Sequence, residues 1–161
     1  MAARYFSEAD PVTGELPLYD GLVAVPMAAG KKASRGYDQA ALLALGLSRR
    51  IGVPYLGGAL VRVRETAVMS GLSEGERRQN LEGAFAPSYD MMGFAAGRRF
   101  LLVDDVCTTG SSVEVCSATL LSAGAESVDF IVFAITADAR RIEDRPAVVE
   151  SPGQLRAKGP T

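Results

Sequence analysis

Apolar residues in this chain fall either into short unbroken runs or into helical spacing, and the two kinds of segment alternate. Leu22-Val23-Ala24-Val25, within Gly21 to Pro26, is an uninterrupted apolar run of the length expected for a strand covered on both faces. Asp38 then offers a side-chain oxygen to the open amides of a helix. The apolar positions of that helix, Ala40, Leu43, Ala44, Leu47 and Ile51, recur every three or four residues until Gly52 and Pro54 stop it. Leu60 to Val63 predicts another short strand. The stretch from Arg64 to Asn80 is polar; Ser73-Glu74-Gly75-Glu76 predicts a capping box for a short helix, and the rest is expected to be mobile. Arg99 to Val106 holds the clearest buried strand, Phe100-Leu101-Leu102-Val103, which runs into Asp104-Asp105. Ser112 to Ala123 predicts a helix with Val113, Cys116, Leu120 and Ala123 facing inward and Gly124 as a left-handed stop, and Val128 to Ile135 predicts the next strand.

Strands alternating with helices in this order predict an α/β fold with a mostly parallel central sheet flanked by helices. In such folds ligands bind beyond the carboxyl ends of the strands, where the acidic pair lies. A single domain is expected over residues 1–137. Residues 1–20 form a candidate hood or cover segment, in which Asp10-Pro11-Val12-Thr13-Gly14 carries turn chemistry between Tyr5-Phe6 and Leu16-Pro17-Leu18-Tyr19. Residues 138–161 read as a charged, Pro- and Gly-bearing tail that is expected to be partly disordered.

Composition narrows the chemistry. A chain of 161 residues with 48% apolar and 22% charged residues suits one globular domain with its own core. The net charge of −2 provides no overall field for a polyanion, so broad nucleic-acid binding is disfavoured while a local basic site stays open. No apolar run reaches the roughly 18 residues of a membrane span, and the acidic start, with Glu8 and Asp10, does not resemble a secretory signal, so a cytoplasmic location is expected. There is no histidine, which excludes Ser-His-Asp and Cys-His catalysis and every histidine-ligated metal site. Cys107 and Cys116 match neither a disulfide framework nor a zinc knuckle and read as packing residues.

Chemistry concentrates in Phe100 to Ser112. After the buried strand come two carboxylates, Asp104 and Asp105, then Val106, Cys107, Thr108, Thr109, Gly110, Ser111 and Ser112, a hydroxyl- and glycine-bearing loop that opens a helix. Consecutive amides in such a loop, with the helix dipole behind them, make a concave site for a phosphate dianion. Two ionised carboxylates just upstream accept hydrogen bonds from vicinal sugar hydroxyls, so the segment suits a ribose 5-phosphate. Its bland reading, a strand ending in two solvated aspartates with an ordinary capping loop, fits either half alone better than the combination.

The segment resembles the ribose-phosphate signature of type I phosphoribosyltransferases, with Cys107 where an aliphatic residue is commoner. A second set of residues, Pro26, Arg35-Gly36-Tyr37-Asp38-Gln39-Ala40, Arg62, Arg64, Thr66, Leu72, Arg77, Asn80 and Ala84-Phe85, resembles the ComF family, also called GntX-like. The resemblance implies binding of 5-phosphoribosyl-1-pyrophosphate (PRPP) with Mg²⁺ and transfer of the phosphoribosyl group to an unidentified, nucleobase-like acceptor. It implies that Asp104 and Asp105 serve catalysis and hold Mg²⁺ directly or through water, and that Asp104 to Ser112 bind ribose 5-phosphate. The pyrophosphate loop and lid would include Pro26, Met27, Ala28, Lys31, Arg35, Arg62, Arg64 and Arg77, and a homodimer would be the assembly. Each arginine also has an ordinary reading as a solvated surface charge. Gly30-Lys31 lacks the rest of a P-loop.

Three departures accompany the resemblance. The four-cysteine ribbon that ComF-like proteins often carry cannot be built from two cysteines, so no zinc is expected. Met69 stands where Gln is usual, and Lys31 and Lys32 where arginines are usual. Met69 and the missing ribbon favour an alternative in which the fold is kept without catalysis, as a ligand-sensing or competence-associated adaptor for DNA uptake, while Asp104, Asp105 and Thr108 to Ser112 favour retained binding. A third reading, an unrelated α/β nucleotide-binding domain, is poor because both Gly-x-Gly-x-x-Gly and a full P-loop are absent.

Overall fold

The computed structural model describes residues 18–27, 36–66, 71–135 and 149–150. A four-stranded sheet runs β1 (Gly21–Ala24), β4 (Arg99–Cys107), β5 (Ser127–Ile135) and β6 (Val149–Glu150), in that spatial order. β1, β4 and β5 are parallel, with Leu22 opposite Leu101 and Asp104 opposite Val132; β6 joins β5 antiparallel at Ser127–Val128. The predicted mostly parallel sheet is therefore present. Its fourth strand comes from within the segment that the sequence assigns to the tail.

The unbroken apolar runs are explained by two cores, one on each face of β4. On one face Phe100 and Leu102 pack with Val23, Leu81, Phe85, Cys116, Leu120, Val128 and Val132. On the other Leu101 and Val103 pack with Leu22, Ile131 and Ala44 of α1 (Gln39–Ile51). α1 forms as the spacing predicts: Asp38 Oδ1 accepts from the Ala41 amide at 3.1 Å, and Gly52 ends the helix at φ 75°.

α3 (Ser111–Ser122) links β4 to β5 and buries Val113, Cys116, Ser117, Leu120 and Leu121. It begins at Ser111, one residue earlier than the apolar pattern predicts. Gly124 follows at φ 100°, where an added Cβ would sit 3.3 Å from Ala96 Cα. The left-handed stop is thus also a point of close approach.

Between α1 and β4 the chain makes a second, antiparallel sheet of β2 (Leu60–Arg62) and β3 (Phe85–Pro87), with α2 (Glu74–Leu81) between them. The sequence predicts β2, one residue longer, and the capping box of α2. Ser73 Oγ accepts from the Glu76 amide, and the Glu76 carboxylate accepts from the Ser73 amide at 2.8 Å. β3 and the 3₁₀ turn Tyr89–Met91 were not predicted, because three-residue segments are too short to show a period. Among the described residues no helix is long and apolar enough to cross a membrane.

Candidate functional site

β4 carries the acidic pair to the carboxyl end of the sheet. Its ladder with β5 continues through Asp104 to Cys107, one residue beyond the predicted end, so the aspartates belong to the strand and inherit its rigidity. Asp104 is 8% exposed. Its Oδ1 accepts from the Asp105 amide at 2.9 Å, and Asp105 Oδ1 accepts from the Val106 amide at 2.9 Å, so each carboxylate is aimed by the peptide after it.

Burial pushes the Asp104 carboxyl up to about 7, with the charge of neighbouring Asp105 next in importance and Asp38 contributing from the start of α1. A carboxyl group poised near neutrality at the end of a central strand makes this corner a candidate functional site. Asp105 is half-buried and closer to solvent.

Thr108, Thr109 and Gly110 then turn the chain into α3. Gly110 stands at φ 82°, a left-handed conformation that a side chain resists, and no side chain caps the helix. The first amides of α3 therefore have no capping oxygen and point, with the positive end of the helix dipole, toward the loop. Thr109 Oγ1 and Ser111 Oγ lie 3.0 Å apart. The predicted segment from Asp104 to Ser112 is thus one continuous strand-loop-helix corner.

β1 ends beside it. The Val25 amide donates to the Val103 carbonyl at 2.9 Å, which places Pro26 and Met27 next to the strand that bears Asp104. Ala28, Lys31 and Arg35 lie outside the described residues, as do Lys32 and Met69. The charge that Asp38 brings to Asp104 was not read from the sequence, where Asp38 stands as a helix cap and as part of the ComF-like segment. The α/β topology supplies the signal, since a helix that follows the loop after β1 starts at the same edge as the end of β4.

The remaining arginines belong to the β2–α2–β3 unit. Arg62 stands 5.2 Å from the Phe85 ring centroid and donates to Thr66 Oγ1 at 2.5 Å; burial lowers its basicity, and its Nε has no hydrogen-bond partner. Arg77 also has a buried Nε without a partner. Arg64 donates from Nη2 to the carbonyls of Asn80 at 2.9 Å and Glu82 at 2.6 Å. Both cysteines are buried; burial and then Asp104 push the Cys107 thiol up to about 11 and raise Cys116 further, as the packing reading expects. Among the described residues no group of three His, Cys, Asp or Glu side chains is arranged to hold a metal ion.

Comparison with known proteins bears on this corner. The phosphoribosyl transferase domain model matches residues 38–152, most of the chain. Competence protein F of Haemophilus influenzae is 40% identical over 116 residues, which are 72% of this chain and 50% of that protein. DNA utilization protein YhgH of Escherichia coli K12 is 37% identical over 72% of this chain and 49% of its own length. Competence protein ComFC of Streptococcus pneumoniae is 30% identical over 66% and 44%. The chain spans about half the length of these relatives. A solved structure of the allosteric regulatory enzyme of purine biosynthesis aligns with TM-score 0.47 at 21% identity, over 72% of this chain and 22% of its own. The matched residues include the whole strand-loop-helix corner, and the chain belongs to the phosphoribosyl transferase domain family as a ComF-like member of that superfamily.

Proposed function

We propose that this protein binds PRPP with Mg²⁺ at the β4–α3 corner and transfers the phosphoribosyl group to an acceptor, releasing pyrophosphate. One observation supports this most: a pair of strand-held carboxylates, one of them buried and poised near neutrality, stands one tight turn before an uncapped helix N-terminus. In this reading the amides and hydroxyls of Thr108 to Ser112 take the 5-phosphate, and Asp104 and Asp105 accept from the ribose hydroxyls. The family resemblance gives the pyrophosphate loop and lid to Pro26, Met27, Ala28, Lys31, Arg35, Arg62, Arg64 and Arg77.

The donor set fits Mg²⁺ of the kind that travels with its substrate. Two hard carboxylates, Asp104 and Asp105, adjoin the site, and one or two carboxylates plus substrate phosphates are the donors that such an ion takes. When bound, Mg²⁺ supplies charge neutralisation for the leaving group. The protein holds the sugar so that its C1 faces the acceptor. As the bond from C1 to the pyrophosphate oxygen breaks, the carboxylates stabilise the positive charge on the sugar, and the bonding electrons leave with pyrophosphate. The acceptor forms the new bond to C1, and no protein nucleophile is required. A homodimer in the cytoplasm is part of the same proposal, with sedimentation as the check on assembly.

Calorimetric titration of PRPP into wild-type protein and into a folded Asp104→Asn, Asp105→Asn variant tests the site. Mg²⁺-dependent binding that the double variant loses is the expected result; absence of binding by folded wild-type protein overturns it. The names of the relatives support a second reading, an adaptor in competence or DNA use that keeps the sugar-phosphate site without catalysis. Binding of PRPP without pyrophosphate release across a panel of nucleobases, together with capture of DNA or a competence protein, would favour that reading.

A further inference from the structure

We infer that Arg64 is a positioning residue that clamps α2 in place and so sets the position of Arg77, an inference that rests on the PRPP reading above. α2 has eight residues, a length at which an isolated helix is marginal in water. Its sequence, Glu-Gly-Glu-Arg-Arg-Gln-Asn-Leu, offers one large apolar side chain to the core, Leu81, which is fully buried. The helix must be held at its ends. At its start the Ser73–Glu76 capping box satisfies the open amides.

At its other end the Glu82 amide closes on the Arg78 and Gln79 carbonyls and the Ala84 amide on the Leu81 carbonyl, which leaves the Asn80 carbonyl and the negative end of the helix dipole to be served from elsewhere. Arg64 serves them from outside the helix. It lies two residues beyond β2, and its Nη2 reaches both the Asn80 and the Glu82 carbonyl, across the neck where the Val63 amide donates to the Ala84 carbonyl at 2.9 Å. The two arginines at this neck divide the work. Arg62 turns inward against Phe85 and Thr66, and Arg64 turns outward onto the helix end. α2, fixed in this way, packs on α3, the helix whose N-terminus forms the proposed phosphate site, and it bears Arg77, which the proposal gives to the pyrophosphate.

A clamp and a direct ligand contact make different predictions. Loss of the clamp frees the end of α2 in protein without ligand and weakens only ligands that need Arg77. For Arg64→Ala, amides of residues 78–84 should exchange with solvent about fivefold faster without ligand, and PRPP affinity should fall about fivefold, the scale of two charge-assisted bonds at an exposed helix end. Ribose 5-phosphate, which lacks the pyrophosphate, should bind unchanged. Arg64→Lys keeps the charge but not the planar fork and should restore part of both effects.

Hydrogen exchange read by mass spectrometry, with titration of PRPP and of ribose 5-phosphate into wild type and both variants, decides it. Unchanged exchange with weakened PRPP binding overturns the clamp and makes Arg64 a direct contact. Faster exchange with unchanged PRPP affinity overturns the positioning role, and so does equal weakening of both ligands. If wild-type protein binds neither sugar phosphate, the functional proposal falls and the positioning role falls with it, whereas the exchange arm still shows whether Arg64 holds the helix.

Discussion

At the scale of single residues, Asp104 sets function against stability. Its carboxyl is raised toward 7, so ionising it opposes folding. The stabilising contribution is fully present below the ordinary carboxylate range, near 4, and is lost as pH rises through about 7. Asp104→Asn should therefore raise the melting temperature at pH 8, by the equivalent of about 2 kcal/mol, with no gain at pH 4, while abolishing PRPP binding. A thermal melt at the two pH values checks the sign; a variant less stable than wild type at pH 8 would refute the account. The pair Asp104–Asp105 and the loop to Ser112 were legible in the sequence because strand, acid, loop and helix are contiguous there. The electrostatic reach of Asp38 was not, because it depends on the path of a loop between distant residues. Arg64 was legible as one of several basic residues, and only the fold reveals the two carbonyls it serves.

At the scale of elements, the ends matter more than the middles. Gly124 combines a left-handed φ of 100° with a backbone neighbour 3.3 Å from where a Cβ would stand. Gly124→Ala should cost about 1–2 kcal/mol in chemical denaturation, whereas the same change at exposed Gly46, inside α1 with no heavy atom within 4 Å of its Cβ position, should stabilise the protein. A Gly124→Ala variant as stable as wild type would mean that the α3–β5 turn tolerates a side chain. The long central strands and α1 were readable because burial on both faces, or on one stripe, imposes a pattern on many residues. β2 and β3 carry three residues each and take their shape from pairing with each other, so their partnership left no periodic trace.

At the scale of the whole molecule, distant parts of the chain are fastened by polar bonds that composition does not show. The Tyr19 hydroxyl donates to Asp129 Oδ2 at 2.7 Å, tying the approach to β1 to β5, while Asp129 Oδ1 is buried without a partner and the residue is 3% exposed. Burial pushes the Asp129 carboxyl above its ordinary range, partly offset by the Tyr19 bond and by the charge of Arg99. Tyr19→Phe removes that donor and should destabilise the fold by about 1–3 kcal/mol, because it leaves both oxygens of a buried carboxyl group without a partner. A urea titration tests this, and an unchanged unfolding midpoint would show that the bond contributes nothing to the fold.

The pairing of β1 also has a consequence for synthesis. Its ladder partner in the sheet is β4, with Gly21 opposite Phe100, about 80 residues further along the chain. At a ribosomal rate of about 5–20 residues per second, β1 emerges several seconds before the strand that completes it. During that interval β1 lacks its β4 template, and what can cover it is made earlier: the segment of residues 54–56, whose backbone exchanges hydrogen bonds with Leu22 along the other edge, and α1, whose Ala44 packs on Leu22.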